Sequence, residues 1–292
     1  SLVLTDAVVI RGQWTQVGLE HAGMEVSFQG RVSVSDGAVL DLRDAGLVEF
    51  ENDLVVDGGG KVLMQDVQLA RPAPLTLGTN GTVEVGGQLT SVDALTLGGG
   101  TLVVDRLVAP ELTLTNYATL TCPASTTNQM HKLEVEVAGT VTVEWTSKID
   151  VTGKGYLAGR TTGNTTEGGA TGKSNGSYGG LGRVGDSGSP NAVYGDYADP
   201  DDWGSGGGTD SAGGGLVRLT AGTLQLDGWV FANGREYSTS GSGGGVYVSV
   251  GTFSGIGYIQ ASGAGGGGEG RVAVYAQDWS GFKLANIAVS GS

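Results

Sequence analysis

Apolar and polar residues alternate in short runs along most of this chain. LTL recurs at 75–77, 95–97 and 112–114, with spacings of 20 and 17 residues. TVEV (82–85) and TLVV (101–104) lie between these copies, punctuated by GTNG, GG and GGG. A period of two is the mark of a half-buried strand, with one row of side chains turned to a core and the other to solvent. No stretch keeps apolar residues at i, i+3, i+4 and i+7 for three turns, so the pattern predicts an all-β chain.

The C-terminal third repeats at a longer period. GGGLVRLTAGTLQLDGWVFANG (213–234) aligns with GGGVYVSVGTFSGIGYIQASG (243–263), and a looser copy is GEGRVAVYAQDWSGFKLANIAVSG (268–291). GTVTVEWTSKIDVTG (139–153) matches the second half of the first copy. Each copy holds three β-prone pieces, such as LVRL, TLQL and WVFA. A unit of this size cannot bury its own apolar face, so neighbours must stack into a solenoid. Three strands per turn predict a parallel β-helix, right-handed by the crossover rule. Val, Leu and Ile line the inside, and glycine serves corners that need positive φ. The few Asn-Gly and Asp-Gly pairs, at Asn80, Asn175, Asn233, Asp36, Asp57 and Asp227, are too sparse for a hairpin-built sandwich.

Residues 154–212 break the pattern. About a third are glycine and large aliphatics are few. The organisation expected is one β-solenoid over 1–292: N-terminal coils to 153, a Gly/Asp-rich loop insertion at 154–212, and C-terminal coils over 213–292. Equivalent repeat positions pair Trp229 with Tyr258 and Asn233 with Ser262, and the three LTL units place Thr76, Thr96 and Thr113 alike.

Composition narrows the function classes. The net charge of −14 repels phosphate backbones and anionic lipids, which argues against nucleic acid as a partner. No apolar run approaches the ~20 residues of a membrane span, which argues against membrane insertion. Such a field favours Ca²⁺ or basic partners. Cys122 is the only cysteine, so no intrachain disulfide forms, and beside Pro123 it reads as a small buried hydrophobe.

Candidate chemistry concentrates in YGDYADPDDWGSGGG (194–208), within a run that has no Lys or Arg between Arg183 and Arg218. Asp196, Asp199, Asp201 and Asp202 supply hard oxygen donors of the kind Ca²⁺ takes. The spacing matches no EF-hand, and Asp before Pro or Gly is also ordinary turn chemistry, in which the carboxylate caps backbone N–H groups; the turn reading takes precedence. Tyr194, Tyr197 and Trp203 offer a platform for a glycan, or a cover for the scaffold. Catalytic constellations are missing. His21 and His131 are the only histidines, and no H-E-x-x-H or GxxxxGK[ST] string occurs. Asp201 and Asp202 are adjacent, but no base lies near them in sequence.

IDVTGKGY, GSYGGLG, VYGDYADPDDWGSGGG, SGSGGGVYV and GGGGEGRVAVYA, in that order over roughly 138–276, resemble the glycine-rich right-handed parallel β-helix repeats of large bacterial secreted or surface proteins. The resemblance implies an adhesin-like or passenger-like segment, extracellular or on a bacterial cell surface. Its partners would be neighbouring coils, protein surfaces or glycans, with no cofactor beyond Ca²⁺ and no catalytic residues. The competing classes are a carbohydrate-binding module and a polysaccharide-active β-helix enzyme.

Overall fold

A computed structural model describes residues 1–19, 21–69, 75–78 and 80–291; the Ser280 side chain lies outside that description. Among the described residues there are twenty-three strands and two three-residue 3-10 helices. None of these helices is long and apolar enough to cross a membrane. Every pairing between strands given in register is parallel, and strands pair with the next coil rather than with their sequence neighbour. The chain is a parallel β-helix. It divides into two compact units that interleave in sequence: unit 1 takes residues 1–121, 135–148 and 221–228, and unit 2 takes 122–134, 149–220 and 229–292.

In unit 1 the apolar alternation becomes ladders. Val32 pairs with Leu54, Leu54 with Leu75, Leu75 with Leu97, Leu95 with Leu112, and Leu112 with Val141. All of these side chains are buried. Each full burial of such a chain is worth about 1.5–3 kcal/mol, and the gain repeats on every coil. A second wall stacks Leu40, Val62, Val83, Leu102 and Leu120 in the same way. Phe28 stacks on Phe50 in register, with ring centroids 5.1 Å apart.

The threonine alignment holds in part. Thr96 pairs with Thr113 and Thr113 with Thr142, but Thr76 pairs with Gly98. The coil has slipped by two residues at the first LTL. A slip of two keeps every side chain on its own face, so the core does not resist it.

Unit 2 stacks Trp229–Phe231 on Tyr258–Gln260, and that strand on Ile287–Ala288. Gly245–Gly255 lies along Arg271–Phe282. Val246, Val248, Val230, Ile259 and Phe253 form its core, and Phe253 stacks on Phe282 at 3.9 Å. Trp229 and Tyr258 are register partners, as the repeat predicts, but the ring that lies against Trp229 is Phe231. Asn233 and Ser262 form a corner ladder: the Ser262 N–H donates to Asn233 Oδ1 (2.9 Å), and the Ser290 hydroxyl meets Ser262 Oγ (3.0 Å).

The excursion at 154–212 is ordered, although it contains no strand. Its extended segments bond in more directions than a sheet allows. The 204–208 segment pairs through backbone hydrogen bonds with Tyr156, Gly214, Ser242 and Ser174. A strand in a sheet has two neighbours; this segment has four. Backbones that close are possible only without side chains, as at the axis of a triple helix. A Cβ on Gly213 would run into the Gly204 carbonyl, one on Gly204 into the Gly243 carbonyl, and one on Gly243 into the Ala261 carbonyl. None of these three has a left-handed φ. Glycine was expected at the corners for its conformational freedom; here it is required for its missing side chain.

Candidate functional site

The acidic, aromatic loop sits in unit 2, where the surrounding strands hold it. Arg218 Nη1 donates to Asp199 Oδ1 (2.8 Å) and to the Pro200 carbonyl (3.0 Å). Its guanidinium also lies 4.2 Å from the centre of the Tyr247 ring. Arg271 donates from Nε (3.0 Å) and Nη2 (2.6 Å) to the Tyr194 carbonyl. The Tyr275 hydroxyl donates to the Ala198 carbonyl at 2.8 Å. Two cations and a phenol, distant in sequence, thus bind the loop that looked free of counter-charge.

Inside the loop the polar groups turn inward. The Tyr156 hydroxyl donates to Asp202 Oδ1 at 2.6 Å, and the Trp203 backbone N–H donates to the same oxygen at 2.9 Å. Burial raises the Asp202 pKa, since a desolvated carboxylate loses more than its neutral form; the two hydrogen bonds oppose that rise and the nearby Asp201 charge adds to it. The Tyr156 and Tyr178 hydroxyls are likewise pushed up by burial, with Asp202 adding to it. Trp203 Nε1 donates to the His131 carbonyl (2.7 Å), and its ring meets Tyr156 edge-on. The Tyr194 hydroxyl donates to the Trp203 carbonyl (2.5 Å) and bonds Ser205 Oγ (2.9 Å), which reaches Thr161 Oγ1 (2.9 Å). Burial also pushes the Tyr194 hydroxyl well up. Tyr178 is wholly buried, tilted against Tyr194 at 4.9 Å, and its hydroxyl has no hydrogen-bond partner among the described residues.

The four aspartates diverge. Asp196 accepts the Ala198 N–H at 2.8 Å, which is the turn-capping role. Asp199 faces Arg218, Asp202 faces Tyr156, and Asp201 is exposed. No group of three or more His, Cys, Asp or Glu side chains converges among the described residues. Of the three aromatics, Tyr194 and Trp203 direct their polar atoms inward, while Tyr197 is 80% exposed. Cys122 is buried, as its sequence context suggests.

Sequence reasoning missed Tyr156, Arg218 and Arg271. A signal existed. Arg218 and Arg271 stand at the openings of two repeat copies, and Arg271 is in register with Gly245 of the intervening copy. An acidic run without local cations draws them from neighbouring coils.

Compared with protein-family models, with curated proteins and with solved structures, the chain has no significant match in any of the three.

Proposed function

We propose that this chain is a non-catalytic structural and adhesive β-helix segment of a large extracellular or bacterial cell-surface protein. The observation that carries the reading is the state of the loop richest in chemical groups. Asp202 is bonded by Tyr156, Asp199 by Arg218, the Tyr194 hydroxyl bonds the Trp203 carbonyl and Arg271 holds the Tyr194 carbonyl, so the loop stiffens the coils beneath it. A carboxylate pair for glycoside hydrolysis needs both groups facing the substrate. Asp202 instead faces Tyr156. The repeated one-residue-per-coil ladders add stiffness through continuous backbone bonding, and the exposed corners and loops present contact surfaces.

The test is retention of beads bearing the full chain on cells, protein-coated surfaces and polysaccharide films under flow, with release of reducing sugar measured in parallel. Retention without release is the expected result. Release of sugar overturns the non-catalytic reading, and no retention on any surface overturns the adhesive one.

A further inference from the structure

Unit 1 turns one of its corners with the same device on several coils. Asp36–Gly37 (φ 56° and 78°), Gly58–Gly59 (52° and 79°), Gly99–Gly100 (86° and 56°) and Asn116–Tyr117 (55° and 64°) are all two-residue turns with both residues left-handed. The backbone closes around them: the Ala38 N–H reaches the Ser35 carbonyl (3.1 Å), Gly60 reaches Asp57 (2.7 Å) and Ala118 reaches Thr115 (3.2 Å). Such turns favour Asn-Gly, Asp-Gly and Gly-Gly. Three of the four follow that preference, and the fourth carries tyrosine where the others carry glycine. A bulky side chain at positive φ is a genuine outlier. Packing does not compensate for it, because Tyr117 is 69% exposed.

The next coil also puts an aromatic residue at this corner. Trp145 is 68% exposed, and the Tyr117 N–H donates to Thr146 Oγ1 at 3.1 Å, which ties the two turns together. Adjacent coils lie about 4.8 Å apart, so the two rings occupy neighbouring steps. On the other side of Tyr117, the bare Gly99–Gly100 turn leaves a recess of about 490 Å³, lined by Asn80, Asn116, Thr119 and the Tyr117 ring among others. Among the described residues, no Lys, Arg, Asp or Glu lines it. The Asn80 and Asn116 amides have no hydrogen-bond partner among the described residues.

We infer that the Tyr117–Trp145 corner of unit 1, with its glycine-floored recess, binds an uncharged polysaccharide chain. Flat, exposed rings offer an apolar face to the C–H side of a pyranose, and free amides and a threonine hydroxyl offer both donors and acceptors to its hydroxyls. The described lining of the recess carries no charge, which matches a neutral ligand; Glu144 beside Trp145 is bonded by the Thr115 hydroxyl, and the −14 of the whole chain repels an anionic ligand. Stacked coils present the contacts along a line, which suits a polymer. This inference rests on the adhesive reading above and gives it a ligand class.

The test is affinity electrophoresis of the full chain through gels containing laminarin, hydroxyethylcellulose or galactomannan, with alginate as the anionic control. At least one neutral polymer should retard the chain and alginate should not. Tyr117→Gly, which fits the left-handed turn, and Trp145→Ser should each weaken that binding at least tenfold. Both variants should melt as cooperatively as the parent. Tyr237→Ser, at an exposed site in unit 2, should change nothing. The inference is overturned by no retardation in any neutral polymer, or by retardation that survives both corner variants. If beads still hold to surfaces in either of those cases, the adhesive reading stands and this site falls. If they do not hold, both fall.

Discussion

The Tyr156 hydroxyl donates to the Asp202 carboxylate at 2.6 Å, joining two residues 46 positions apart. The glycine-rich segments between them run against the same backbone, so the bond fastens an extended region to its own start. A phenol that donates to a half-buried carboxylate serves as an internal tie, and it shares Asp202 Oδ1 with the Trp203 N–H.

Removing the donor tests the tie. Tyr156→Phe keeps the ring against Trp203 and deletes one hydrogen bond to a charged acceptor. The expected cost is about 1–2 kcal/mol at neutral pH, with the Trp203 N–H left as the remaining donor. Urea unfolding monitored by tryptophan fluorescence measures it. A variant as stable as the parent would show that the bond contributes nothing.

Asp202 also sets a pH dependence. Its folded pKa is raised, chiefly by burial. Such a group contributes stability below its unfolded pKa of about 3.8 and loses that contribution as pH rises through the folded value. Asp202→Asn keeps an acceptor for Tyr156 without the charge. Relative to the variant, the parent should gain stability as pH falls from 7 to 3.5. Paired melting curves across that range read the difference, and a gap that widens in the variant's favour on acidification would contradict the assignment.

Asp210 should behave in the opposite sense. Its pKa is lowered to about 2, first by the Ser238 hydroxyl at 2.5 Å and then by bonds from the Thr239 N–H and hydroxyl and the Ser238 N–H. A depressed carboxylate contributes stability above about 3.8 and loses it as pH falls toward the folded value. Asp210→Asn should melt below the parent at pH 6, and the two should converge near pH 2. A gap that persists at pH 2 would mean that packing, rather than the charge, is responsible.

The ladders were legible in the sequence because a period of two and a coil repeat both survive in the residue string: Leu95 over Leu112, Trp229 over Tyr258, Asn233 beside Ser262. Register within two residues was not, since Leu-Thr-Leu-Gly presents the same face after a slip, and Thr76 therefore meets Gly98. The Asp-Gly pair at Asp36 was weighed as a hairpin signal, while the same left-handed pair makes a solenoid corner. The acidic loop drew attention for its composition. Its fate was set by Arg218 and Arg271, whose approach depends on coil stacking that no local window contains. Tyr117 is not legible at all, because the sequence does not mark which residue must take a positive φ.

The glycine-rich region gives the sharpest contrast between two uses of one residue. Gly168 has a φ of 69° and open space around the position of a Cβ. Gly213 has no left-handed φ, but a Cβ there would meet the Gly204 and Ser205 carbonyl oxygens, which cannot move without breaking the hydrogen bonds that hold the segments together. Gly168→Ala should therefore cost only its left-handed strain, about 1 kcal/mol. Gly213→Ala should cost about 3 kcal/mol or more, as overpacking against backbone does. Limited proteolysis at 154–212 alongside thermal melting separates the two. Gly213→Ala should open that region to cleavage while Gly168→Ala leaves it closed. Equal protection in both would mean that the region tolerates side chains between its segments, and the close-packed account of its glycine content would fail.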